Sequence, residues 1–188
     1  MSLVPVPGRD IFVQAWYQGG LSLVDFSDTA NPKEIGYFDR GPISGTSLLT
    51  GGLWSTYWYN GKAYGSEIAR GFDTFGLKAG DELSQNEITA ASEVVLDEFN
   101  AQHQGQTVWA PSFAVAGSYF DQAVRSGELT KGPRTSTAKL LENAQKHVDA
   151  GRIAAAKSVL LDAAAALPAT GDRGELKVAL TELAGSLG

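Results

Sequence analysis

A chain of 188 residues holds one domain or two small ones, and 43% hydrophobic with 19% charged residues is the balance of a folded protein rather than a disordered one. The net charge of −6, with no cluster of Lys and Arg, argues against a nucleic-acid-binding face, and the lack of cysteine excludes disulfides and zinc–thiolate centres. No run approaches the ~20 apolar residues of a membrane span, and MSLVPVPGRD lacks the apolar core of a signal peptide.

Composition changes sharply along the chain. Residues 1–80 hold 13 of the 18 aromatic residues, none occurs after Phe120, and from about residue 138 the chain is rich in Ala and Leu. Aromatic and β-branched side chains suit pleated surfaces, whereas Ala and Leu suit helices. The expected fold class is therefore α+β, with an antiparallel β part over 1–80 and a helical part over 81–188.

In the β part, Ile11–Val13 and Ala15-Trp16-Tyr17 run to a turn at Gly19-Gly20, and Leu21–Phe26 returns. Ser27-Asp28-Thr29-Ala30-Asn31-Pro32 is a loop, and Glu34–Phe38 reads as a third short strand. Thr56–Tyr59 and Lys62–Gly65 flank Asn60-Gly61, a pair that supplies the positive φ angles of a type I′ hairpin turn. A further strand covers Phe72–Leu77. Shifted by 51 residues, Val13 falls on Tyr64, Gly20 on Gly71, Leu21 on Phe72 and Val24 on Phe75. A unit of this size cannot bury both faces of its own sheet, so such repeats stack or close.

The residues Gly20-Leu21-Ser22-Leu23-Val24-Asp25-Phe26-Ser27-Asp28, followed by Asn31-Pro32 and Ile35-Gly36-Tyr37, resemble the LVIVD repeat, and a looser copy covers 53–77. The segment from Gly52 to Leu77, and the run from Trp109 to Gln122 after it, are similar to the C-terminal end of long actinobacterial proteins that carry such repeats. The resemblance implies about two antiparallel β-propeller-like blades, a secreted or cell-surface location, and Asp25 bonded to turn amides. A propeller needs about four to eight blades. The expected completion is a longer chain, a ring of copies, or a small sheet packed on its own helices. If the chain is complete as written, a cytoplasmic location is expected instead.

In the helical part, Ser84 and Glu87 form a capping box before a helix expected over 85–99, with Ile88, Ala91, Val95 and Phe99 on one face. Residues 81–99 contain six acids and no base, which reads as a solvated face. Ser112 is expected to cap a connecting helix carrying Phe113, Ala116, Phe120 and Val124, so that 81–132 holds two helices. Residues 133–188 are expected to form a three-helix bundle, with Gly132-Pro133 as a break, helices from Thr137 and Arg152, and a last helix capped by Asp172. That last helix carries the seam Leu176, Leu180, Leu183 and Leu187.

Little in the sequence announces chemistry. His103 and His147 have no His, Asp or Glu at helical ligand spacing and read as solvated. Gly41-Pro-Ile-Ser44-Gly45 lacks the strand–turn–helix setting of a nucleophile elbow. No catalytic residue, metal or cofactor is assigned. The one cluster with ligand-binding potential is Trp54, Tyr57, Trp58, Glu67, Arg70 and Asp73, where aromatics could stack on a glycan or peptide. The competing reading has the aromatics filling the space between blades and the charges pairing. The expected function is a non-catalytic binding or scaffold module, with a protein partner or self-association covering the blade edges. The alternatives are part of a propeller hydrolase or lyase, and a helical oligomerisation module.

Overall fold

The computed structural model describes residues 1–98, 100 and 105–188 and shows an α+β chain in two compact units, Met1–Val108 and Trp109–Gly188. The boundary lies at 108/109 rather than 80/81, because the first helix packs with the strands.

The first unit holds two open antiparallel sheets. Strands β1 (Ser2–Val4), β2 (Ile11–Ala15), β3 (Leu21–Asp25) and β4 (Lys33–Phe38) form one in that order, and β5 (Leu53–Tyr59), β6 (Lys62–Glu67) and β7 (Gly71–Phe75) form the other. Alternation in β2 and β3 turns Ile11, Val13, Leu21 and Leu23 inward, where they share a core with Leu53, Trp58 and Ala63 of the second sheet. Strand β1 was not expected from the sequence. The repeat has a structural counterpart: Phe12↔Val24 and Val13↔Leu23 in the β2–β3 hairpin fall, 51 residues on, on Ala63↔Phe75 and Tyr64↔Thr74 in β6–β7. Gly20 and Gly71 both have positive φ. At Asn60-Gly61 both φ angles are positive, as the turn requires.

Helix α1 (Gln85–Glu93) begins with the expected capping box: Ser84 Oγ accepts from the Glu87 amide, and Glu87 Oε2 accepts from the Ser84 amide at 2.6 Å. Leu83, Ile88 and Ala91 join the sheet core. The helix stops at Glu93, so Val95 is exposed and outside it, and Phe99 lies outside the described residues. The β-branched pair Val94-Val95 disfavours another turn, and Asn60 captures the backbone of Leu96 instead.

Arg9 ties this helix to the first sheet. Its Nη1 donates to Glu87 Oε1 at 2.8 Å and to the Glu82 carbonyl at 2.9 Å, and its Nη2 donates to Asp25 Oδ2 at 2.5 Å. Asp25 Oδ1 also accepts from the Ser27 amide and hydroxyl, the turn bonding expected of it. Burial pushes the Asp25 carboxyl up, but the bonds from Arg9 and Ser27 outweigh it and hold its pKa below the ordinary value.

The second unit consists of α2 (Phe113–Arg125), α3 (Lys131–Asp149), α4 (Ile153–Ala165) and α5 (Gly171–Ser186). α2 packs on α5, α5 on α4 and α4 on α3, around Leu160, Leu176, Leu180 and Leu183. Ser112 caps α2 through the Val115 amide. Two expectations change here. Helix α3 runs through Gly132-Pro133, because Pro in a first turn gives up an amide that has no helical partner there. Thr170, not Asp172, is the N-cap of α5, and the Arg173 amide in its first turn donates to Glu128 Oε2 at 3.2 Å. At the end of α3, Gly151 has a φ of 69°, and the amides of Gly151 and Arg152 return to the carbonyls of Val148 and His147, a Schellman closure.

Candidate ligand-binding site

The two sheets join at one corner. After β2, Trp16–Gly20 makes a tight loop in which Tyr17 has a φ of 54°. Tyr17 and Leu53 exchange both backbone hydrogen bonds, at 3.0 and 3.1 Å. Only glycine fits at position 52, since a Cβ there would lie 2.0 Å from the carbonyl carbon and oxygen of Tyr17.

Glu67, at the end of β6, organises the corner. Its carboxylate accepts from the amides of Gly52 at 2.6 Å, Ala69 at 2.8 Å and Arg70. Burial raises its pKa, the three amides and the Arg70 charge lower it, and the lowering wins. Beside it, Arg40 pairs with Asp73 Oδ1 at 2.8 Å and lies over the Phe38 ring. Asp73 Oδ2 is buried and has no hydrogen-bond partner among the described residues. Arg70 donates to the Pro42 carbonyl at 3.3 Å.

These residues line a shallow cleft with Tyr17, Gln18 and Asp39. Its volume is about 20 Å³, room for one or two waters rather than an enclosed metabolite. At the corner Tyr17 and Trp54 stand edge to face, with ring centroids 5.8 Å apart and both more than half exposed.

The six residues singled out from the sequence therefore separate. Glu67, Arg70 and Asp73 come together in the cleft, and Trp54 stands beside it through Tyr17. Trp58 is 4% exposed and packs in the shared core, so it presents no face to a ligand. Tyr57, one residue before Trp58, lies on the outer side of the second sheet with Tyr64, its partner across the strands. Arg40, Tyr17 and Asp39 were not singled out. The Asp39-Arg40-Gly41-Pro42 run reads only as a turn, and its neighbourhood to Asp73 depends on how the sheets meet.

No family model, curated protein or solved structure matches the chain. Other expected features are placed as follows. His147 Nδ1 accepts from Arg152 Nε at 2.9 Å, which gives it a partner beyond solvent. His103 lies outside the described residues. Among the described residues no helix is long and apolar enough to cross a membrane, and no group of three His, Asp or Glu side chains is placed to hold a metal ion.

Proposed function

We propose that the chain is a non-catalytic binding module built on two LVIVD-type, propeller-like blades, with its ligand at the corner between the sheets. Its resemblance to LVIVD repeats supports a location outside the cell or on its surface. One observation carries the ligand reading: at this corner the acids are committed to the protein while the aromatics are not. Glu67 is saturated by backbone amides and Asp73 Oδ1 by Arg40, whereas Tyr17 and Trp54 offer an exposed, mutually braced pair. Arg40 and Arg70 line the cleft beside this pair. A sugar ring stacked on the aromatics, with hydroxyls directed to those groups, suits a shallow cleft of this kind.

Glycan and peptide arrays, followed by titration of any hit with Trp54→Ala, test this. The expected result is a glycan hit weakened at least tenfold by Trp54→Ala at unchanged melting temperature. Hits confined to the peptide array would move the reading to a peptide ligand. Empty arrays, or binding indifferent to Trp54→Ala, would remove the site.

A further inference from the structure

The two repeat hairpins share a register but face opposite ways. Ile11, Val13, Leu21 and Leu23 of β2–β3 point into the core between the sheets. Their counterparts 51 residues on are Lys62, Tyr64, Phe72 and Thr74, and these lie on the outer face of the second sheet. Conversely Phe12, Gln14 and Val24 lie on the outer face of the first sheet, while their counterparts Ala63, Gly65 and Phe75 point inward. Within the chain, one repeat thus packs its first face against the second face of the next.

A contact between unlike faces leaves one of each kind unused. The unused first-kind face carries Tyr64 stacked on Phe72, a residue 68% exposed. The unused second-kind face carries Phe12 against Phe26, with Leu3, Trp16 and Tyr37 beside them. Tyr37 is 78% exposed. Exposed aromatic side chains gathered on a sheet face in this way mark an interaction surface.

We propose that a second copy of this chain occupies these faces, head to tail: the outer face of its β1–β4 sheet docks on the outer face of the β5–β7 sheet. The occupant follows from continuity with the contact already inside the chain. The docked faces are the sequence counterparts of the two sheet faces in the shared core, to which Leu83, Ile88 and Ala91 also contribute, and they meet in the same order. A symmetric dimer would join two faces of one kind, which happens nowhere among the described residues. With two sheets per copy and about four to eight per closed ring, closure takes two to four copies. The inference goes beyond the ligand reading and stands on other residues.

Sedimentation of the full chain over micromolar to submillimolar concentrations, alone and as variants, tests it. Phe72→Glu blocks one face and Leu3→Glu/Tyr37→Glu the other. All three side chains are exposed, so melting temperatures should hold. If Phe72→Glu melts lower, Thr74→Arg on the same face replaces it. The wild type is expected as a discrete assembly of two to four copies and each variant as a monomer. An equimolar mixture of the variants should form a 1:1 dimer, because each keeps the face that the other lacks. A wild type that stays monomeric overturns the proposal. So does an assembly that only one of the variants disrupts, an assembly indifferent to both, or a mixture that stays monomeric. A monomer that still binds glycan removes the assembly and leaves the ligand site standing.

Discussion

Replacing Arg9 with Met should unfasten helix α1 from the first sheet. Arg9 is 7% exposed and bonds to two carboxylates, of which Glu87 is fully buried and Asp25 is 21% exposed. Removing one partner of a buried ion pair costs about 3–5 kcal/mol, because the other is left charged without compensation. Water reaches Asp25, so the lower end applies, about 3 kcal/mol. At about 4–8 °C per kcal/mol for a unit of this size, melting should fall by about 12 °C or more. Urea unfolding at neutral pH, followed by tryptophan fluorescence with Trp58 as the buried reporter, measures the loss. Two controls separate charge from packing. Glu87→Gln in the Arg9→Met background removes the stranded charge and keeps the capping box, so it should restore part of the stability. The pH dependence has a definite sign. Asp25 has a lowered folded pKa, so its contribution is present above the ordinary carboxyl range and lost as pH falls through the folded value. The gap between wild type and Arg9→Met should therefore narrow in acid. A loss within about 0.5 kcal/mol, the range of an ordinary surface change, would refute the reasoning. So would a gap that persists in acid, or no recovery with Glu87→Gln.

Three further outcomes follow from the corner and the core. Trp58→Ala should cost about 3–5 kcal/mol by emptying the shared core, while Trp54→Ala should stay within about 0.5 kcal/mol; chemical denaturation distinguishes them. Gly52→Ala should cost at least the ~1–2 kcal/mol of a left-handed residue, and more because its Cβ meets the Tyr17 carbonyl; thermal melting reads it. Glu67→Gln should destabilise at neutral pH, with the deficit disappearing as pH falls through the lowered Glu67 pKa, as melts across an acid series would show.

What could be read from the chain was local and chemical. Asn60-Gly61 specified its turn, Ser84 and Glu87 their capping box, and the spacing from Val13 to Tyr64 the shared hairpin register. What could not be read depended on parity or on distant partners. A bulge between Leu53 and Ser55 resets the alternation of β5 and turns Trp58 inward. In the unbroken run Tyr57-Trp58-Tyr59 nothing marks which ring is the core ring. Arg9 follows Pro7-Gly8 with no periodic neighbours, and its partners lie 16 and 78 residues away. The candidate site suffers most from this. Glu67, Arg70 and Asp73 were near one another in sequence, but Arg40 and Tyr17 reach them only when the sheets meet.

Asn60 has a second use besides its turn. Its Oδ1 accepts from the Leu96 amide at 2.8 Å and its Nδ2 donates to the Leu96 carbonyl at 3.1 Å, the pair of bonds that a peptide group in a neighbouring strand would make. Tyr59 adds its hydroxyl to the same carbonyl at 3.0 Å. One side chain thus closes a loop of 36 residues without adding a strand. The hairpin tip and the segment after α1 are thus tied directly to each other, and hydrogen exchange should find them opening together.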